Sequence, residues 1–438
     1  VGSLSRLTLE RTVNGFYGRA VVQRHHLNAA GVTAGVTRIG NAHGYVVNEG
    51  EKCPVDGVLE YRGYNICDLL ESCIAEGRFG FEECAFLLFM GDLPTRWELQ
   101  EFADVLAMLR HLPPRFTEDI IMKAPSRSIM NKLEVAVLSL YAYDDNPDDT
   151  SLENMMRQSM ERVARLPVIA GQAYAVYRNT FFNKSLNLHN PRDGLSTAEN
   201  FLRILRPDKS YTPEEAHLLD LCLIIHAEHG GGNASTFATR VLSSTGTDTY
   251  SAIAAGIGAL KGPLHGGANI KVQEMFDCVK ANVRDPHNDD ELSDFLLRIL
   301  KGKANDGSGL IYGMGHAVYT KSDPRAVMLK RYARQLAQDK GYGEDFELLE
   351  SIERLTPEGF NTYKGKHHDI CANVDLYSGL VYRMLGIPTE MYTPLFTIAR
   401  TAGWCAHRME EILSSGKIMR PGYKCIERER PYTELTRR

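Results

Sequence analysis

Apolar residues recur at three- and four-residue spacing along most of this 438-residue chain, while two-residue alternation is rare. That pattern constrains the fold more than any other, because it lines apolar side chains along one face of successive helices. FEECAFLLFM (81–90) keeps it up to Gly91, and NKLEVAVLSLYAY (131–143) keeps it up to the acidic loop DDNPDD. The stretch from 151 to 178 predicts two helices split at Pro167, since an internal proline removes a hydrogen bond and clashes with the preceding turn. TPEEAHLLDLCLIIHAEH (212–229) has a strong helix start: Thr212 as N-cap, Pro213 in the first turn, then two acids. SAIAAGIGAL (251–260) is rich in small residues, so a neighbouring helix can approach closely. GVLEYRGY (57–64) is one of few strand-like runs. The expectation is a nearly all-α chain with no fixed-period repeat and no low-complexity tract. The Gly/Pro break around 261–267 and the turn after 386–388 are the expected domain joints.

At 43% hydrophobic and 24% charged residues, the chain can bury a large core and is expected to form more than one domain. A net charge of -5 argues against a broad basic surface for nucleic acid. No apolar run is long enough to cross a membrane. The opening VGSLSRLTLE lacks an apolar targeting core and an initiator Met, which points to processing or a cloning remnant. Nine cysteines, odd in number, scattered and without a C-x-x-C pair, read as free thiols of a reducing compartment.

Four polar clusters interrupt the helices. In GALKGPLHGGAN, His265 stands between Pro263 and two glycines, just before an amphipathic run. The proline ends one helix, the glycines leave the backbone bare, and the free N–H groups of the next helix disfavour a positive charge. An imidazole there stays neutral and donates a hydrogen bond; a plain capping turn fits the same residues. HAEHGGGNAST (226–236) places His226 and His229 three apart, as core or capping histidines or as part of a metal site without an obvious third ligand. GMGHAVYTKSDPRA (313–326) pairs His316 with Arg325, which suits a carbonyl flanked by a carboxylate. In HHDICANVDLYSG (367–379), Asp375 sits among apolar residues, either as a base with a raised pKa or as a helix N-cap.

Taken together and in order, these clusters resemble the citrate synthase family in its prokaryotic form. The likeness runs through GVLEYRGYNICDLL, FLLFMGDLPTRWEL, LIIHAEHGGGNASTFATR, GALKGPLHGGAN, GMGHAVYTKSDPRA, NVDLYSGLVYRMLGIP, ARTAGWCAHRMEE and RPGY. It covers the chain beyond the first few dozen residues. Met314 stands where an aromatic is common, Leu376 where Phe is common, and GGGN is looser than the acidic version often found there. These departures bear on substrate preference more than on reaction type.

The resemblance implies an all-α fold with a large helical domain (1–269 and 381–438) and a smaller one (270–380) around a cleft. It implies condensation of acetyl-CoA with oxaloacetate, followed by thioester hydrolysis, with CoA as a cosubstrate and no metal or resident cofactor. Asp375 would take a methyl proton, His265 would stabilise the enolate, and His316 would polarise the ketone. His229, Arg325, Arg400 and Arg420 would hold carboxylates, with Arg420 reaching into the partner's site in a homodimer. Lys366 in YKGKHH is the expected phosphate contact. A cytoplasmic location, with no nucleic-acid or membrane partner, completes the expectation. The close alternative is a 2-methylcitrate synthase using propionyl-CoA, since one methylene is worth only about 1–3 kcal/mol in an apolar pocket.

Overall fold

The computed structural model describes residues 34–48, 51–365, 367–414, 416–422 and 424–437. Its only sheet among these residues is a small antiparallel one of order β1-β2-β3. Strands β1 (Gly40–Asn48) and β2 (Glu51–Tyr61) form a hairpin, with a register shift between His43 and Tyr45. The short β3 (Tyr64–Asn65) follows a turn at Arg62 and Gly63, both at positive φ. The expected strand at 57–64 is therefore the end of this hairpin.

Apart from an isolated bridge between Met314 and Ala372, all else regular among the described residues is helical. In chain order come α1 (Ile66–Ala75), α2 (Phe81–Met90), α3 (Arg96–Leu109), α4 (Ile129–Ser139) and the 31-residue α5 (Leu152–Phe182). Then follow α6 (Thr197–Leu205), α7 (Pro213–His226), α8 (Ala234–Ser243) and α9 (Thr249–Lys261). The rest are α10 (Ala268–Asn282), α11 (Asp289–Leu300), α12 (Pro324–Asp339), α13 (Gly343–Lys364), α14 (Val374–Met384) and α15 (Tyr392–Leu413).

Local chemistry accounts for many boundaries. Thr212 and Glu215 form a reciprocal capping box with Pro213 in the first turn, so α7 begins where the sequence predicts. Helix α2 stops at Gly91 in the left-handed conformation. The predicted break at Pro167 is absent: α5 runs through it as one helix. Pro167 and most of its neighbours are buried, and α5 packs against α4, α6 and α15. That burial offsets the roughly 3 kcal/mol that an internal proline costs.

Helix α15 is the hub. It packs against α2, α4, α5, α7, α8 and α9, and nearly every side chain from Tyr392 to Met409 is buried. Small residues make this approach possible. A methyl group on Gly403 would lie 2.4 Å from the Ala227 carbonyl, and the Gly403 N–H donates to that carbonyl at 3.1 Å. A methyl on Gly256 would meet Thr239 Oγ1 at 2.6 Å and Trp404 at 3.0 Å, as the small-residue run in α9 predicts. The Gly403 contact matters for the site, because it presses the turn of α15 that carries Arg400 against the chain leaving α7. A second group, α10 to α14, packs mainly on itself, with α11 on α13 and both α10 and α12 on α14. Among the described residues, no helix is long and apolar enough to cross a membrane, and all nine cysteines are free thiols.

Candidate active site

A cleft of about 1150 Å³ opens where the α7–α8 loop, the segments before α10, α12 and α14, helix α15 and the β-hairpin meet. His229, His265, His316, Arg325, Asp375 and Arg400 all line it. Six residues from five separate stretches of sequence thus converge on one space.

His265 sits in the bend between α9 and α10, where Gly266 and Gly267 have no room for a Cβ. A methyl on Gly266 would lie 2.2 Å from the Leu260 carbonyl. The helix start that faces its ring is not the one that follows it. His265 Nε2 lies 3.3 Å from the Ser235 backbone N–H and 2.9 Å from Ser235 Oγ, in the first turn of α8. The sequence expectation of a helix N-terminus holding this imidazole is met by a different helix, thirty residues earlier in the chain. A backbone N–H only donates, so Nε2 accepts and the proton of the neutral ring sits on Nδ1. Burial, then the charge of Arg400, pushes the pKa down to about 4.

His316 is fixed by the same logic with the opposite tautomer. Its Nδ1 accepts from the backbone N–H groups of Val318 (3.1 Å) and Tyr319 (3.2 Å), and these two donors outweigh the single longer approach of Arg325 Nη2 to Nε2 at 3.5 Å, which places the proton on Nε2. The Tyr319 ring stacks on it with centroids 4.8 Å apart. Burial and the nearby Arg325 lower its pKa to about 4. Gly313 and Gly315, at positive φ, make the tight turn that presents it. His229 stands edge-on to His316 at 5.1 Å, and its Nε2 is buried with no hydrogen-bond partner among the described residues.

Two guanidinium groups face the same space. Arg325, buried in the first turn of α12, is gripped on one edge by Asp323, with Nε to Oδ1 at 3.0 Å and Nη2 to Oδ2 at 2.7 Å. Burial would lower its pKa, but the Asp323 charge and hydrogen bonds outweigh it and the net shift is upward. Arg400 donates from Nε to the His226 carbonyl at 2.6 Å and lies over the Phe396 ring at 4.6 Å. Its Nη2 is buried and has no partner among the described residues. Unpaired buried donors of this kind call for an anion.

Asp375 supplies the one carboxylate lining the cleft among the described residues. It is not the N-cap of α14. Asn373 is, and its side chain accepts from the Asp375 backbone N–H at 3.0 Å. Freed from capping, the Asp375 carboxylate is raised to about 6, chiefly by burial, with Arg325 and Arg400 opposing the rise and Asp323 adding to it.

The remaining expectations divide. His226 is buried against Phe396 rather than lining the cleft, with centroids 4.5 Å apart. Helix α7 ends at His226, so His229 lies beyond it and the two do not share a helix face. Among the described residues, no three His, Cys, Asp or Glu side chains are grouped to hold a metal ion. Arg420 is exposed in an irregular tail segment and does not line this cleft. Lys366 lies outside the described residues.

Several residues were missed in the sequence. Ser235 fixes the His265 tautomer, Asp323 orients Arg325, and Asn373 caps α14. Glu228 accepts from His407 Nε2 at 2.9 Å and from the Gly230 N–H, bracing the loop that carries His229. An Asp two residues before Arg325 at a helix start was a legible signal; the others depend on tertiary contacts.

Comparison with known proteins adds the family. Residues 29–422 match the family model described as "Citrate synthase, C-terminal domain". The chain is 36% identical over 397 residues to a citrate synthase of Synechocystis, covering 90% of this chain and 88% of that one. It is 32% identical to 2-methylcitrate synthase 1 of Corynebacterium glutamicum, over 88% of this chain and 93% of that one. It also superposes on a ternary complex of carboxymethyl coenzyme A and oxaloacetate with the citrate synthase of Thermoplasma acidophilum. There the TM-score is 0.75, with 28% identity over 92% of this chain and 97% of that one.

Proposed function

The chain belongs to the citrate synthase family, and from that footing we propose how its cleft condenses acetyl-CoA with oxaloacetate and releases citrate and CoA. The observation that carries the assignment of roles is the meeting of one carboxylate and two oppositely tautomeric neutral imidazoles in a single cleft.

Asp375, with its pKa near 6, is ionised at neutral pH and basic enough to accept a methyl proton from the acyl thioester. The C–H electron pair becomes the C=C bond of the enolate, and the carbonyl π pair moves onto the thioester oxygen. The Nδ1–H of His265 donates to that oxygen as charge develops, and no cationic acid is needed. The enolate carbon then attacks the ketone carbon of oxaloacetate, whose oxygen accepts from the Nε2–H of His316. The resulting alkoxide collects its proton through His316. Water cleaves the C–S bond of the citryl thioester, giving citrate and free CoA. His229, the open edge of Arg325 and the unpaired Nη2 of Arg400 hold the carboxylates.

The smaller domain is assigned to residues 270–380, between 1–269 and 381–438. His316, Arg325 and Asp375 would then face His229, His265 and Arg400 across the cleft, and closure would keep water off the enolate. A homodimer is supported by the exposed Arg420 and by apolar side chains on the same tail, Ile426 at 88% and Leu435 at 76% exposure. Lys366 is retained as a phosphate contact, on its basic surroundings in sequence. The free thiols support a reducing compartment, the cytoplasm, and the reaction is the entry step of the tricarboxylic acid cycle.

The second reading, 2-methylcitrate synthase, is favoured by the likeness to the Corynebacterium enzyme of that name. One assay separates the two. With oxaloacetate present, CoA release is followed with acetyl-CoA and with propionyl-CoA. The expected result is a higher kcat/KM for acetyl-CoA by about tenfold or more, the scale of one methylene. A preference for propionyl-CoA transfers the function to the second reading, and no CoA release with either rejects both.

A further inference from the structure

The β-hairpin is part of the cleft wall, and the mechanism above gives it no task. Gly40 to His43 line the cleft at the base of β1, and His43, Tyr45 and Val47 line it alternately farther out, together with Lys52 of β2. That is the two-residue period of one strand face. The hairpin is seated tightly at its base. A methyl on Gly40 would lie 2.7 Å from Glu228, and Tyr61 Oη accepts from the Glu228 N–H at 3.2 Å. Farther out it lies against the His316 segment. A methyl on Gly44 would meet the Val318 carbonyl at 2.7 Å, and one on Gly57 would meet the Ser322 carbonyl at 2.1 Å. The Gly57 N–H donates to Ser322 Oγ at 3.1 Å, and that hydroxyl donates to Asp56 at 3.1 Å. The hairpin therefore starts beside His229, passes the His316 loop and leads out to the cleft mouth. At strand rise, Asn41 to Val47 spans about 20 Å.

Charge separates the two ends of this path. Among the described residues lining the cleft the cations are Arg325, Arg400 and Lys52. The two arginines belong to the deep end, already tied to Asp323 and to the His226 carbonyl. Lys52 is exposed, lies 4.5 Å above the Tyr45 ring, and has no ion-pair partner among the described residues. A CoA thioester has its reacting carbon at one end and its phosphates at the other, with the uncharged pantetheine arm between. Its thioester end belongs with His265 and Asp375, so its phosphates must leave through the mouth.

We infer that the cleft-facing side of the β1–β2 hairpin is a binding wall for acyl-CoA, with Lys52, braced on Tyr45, meeting its phosphates. This rests on the acyl-CoA reading of the site. The wall is uncharged along the arm, through Tyr45 and Val47, and cationic at the end.

The test compares acetyl-CoA with S-acetyl-pantetheine, which lacks every phosphate. Lys52→Gln should raise KM for acetyl-CoA roughly fivefold, the scale of one exposed charge contact, and Lys52→Arg should not. With S-acetyl-pantetheine, parent and K52Q should share one KM. The parent's KM for acetyl-CoA should also climb more steeply with salt than that of K52Q. An unchanged KM for acetyl-CoA, or an equal rise with both thioesters, overturns the inference. So does a K52Q effect confined to inhibition by ATP, which would give the lysine to a nucleotide effector instead. Turnover by the parent with an indifferent K52Q sinks this inference alone, whereas no CoA release by the parent sinks the reading beneath it.

Discussion

Asp375→Asn is expected to lower kcat by about 10²–10⁴-fold, the usual worth of a positioned general base. The amide keeps the size of the side chain and the helix start, because Asn373 and not Asp375 caps α14. Folding should therefore survive. Oxaloacetate binding should survive too and even tighten slightly, since a negative charge beside Arg325 and Arg400 is removed. Steady-state kinetics and calorimetry with oxaloacetate check the two halves separately. A variant that turns over normally contradicts the role of base. A folded variant that no longer binds oxaloacetate moves Asp375 into the keto-acid site.

Arg420→Ala should cost about 10²-fold or more in kcat/KM, as for truncating one partner of a desolvated charge pair. The side chain is exposed on an irregular segment and does not line the cleft of its own chain, so a loss that large needs a second chain. Gly416, Pro421 and Gly422 suit an extended arm that can cross an interface. Subunit mixing reads this directly. Homodimers of Arg420→Ala and of Asp375→Ala should both be nearly inactive. In a mixed dimer one site receives a good aspartate from one chain and a good arginine from the other, while the second site carries both defects. Activity should return on mixing. If mass spectrometry shows exchanged subunits and no activity appears, Arg420 does not act in the partner's site.

How much of this was legible in sequence depended on the range of the force involved. The start of α7 was readable because its cap, proline and acids lie within four residues of one another. The close approach in α9 was readable because small residues admit a neighbour whichever neighbour it is. Pro167 misled because the cost of an internal proline is local, and the burial that outweighs it comes from helices distant in the chain. His265 shows both sides. The need for a helix N-terminus was visible in the glycine turn, but the helix that supplies it begins at Ala234 and meets the ring only in the folded chain. The β1 strand escaped notice because the register shift between His43 and Tyr45 breaks the pairing and the strand's cleft face is partly polar. The six cleft residues were found through the order of their motifs, which is a family signal. Their tautomers and ionisation came from contacts.

The central claim is that chemistry here runs on one ionised carboxylate and two neutral imidazoles. The dependence of kcat/KM on pH, from about 5 to 8, tests it in one experiment, because that ratio reports the ionisations of the free enzyme. Burial raises Asp375 to about 6, so the base is lost as pH falls through that value. His265 and His316, held down to about 4, stay largely neutral from pH 5 upward. The predicted profile therefore has a single acidic limb with a midpoint near 6 and a flat top to neutral pH and above. A rate that falls as pH rises through 6 to 7 would mean that a protonated imidazole does the work, and would contradict the account.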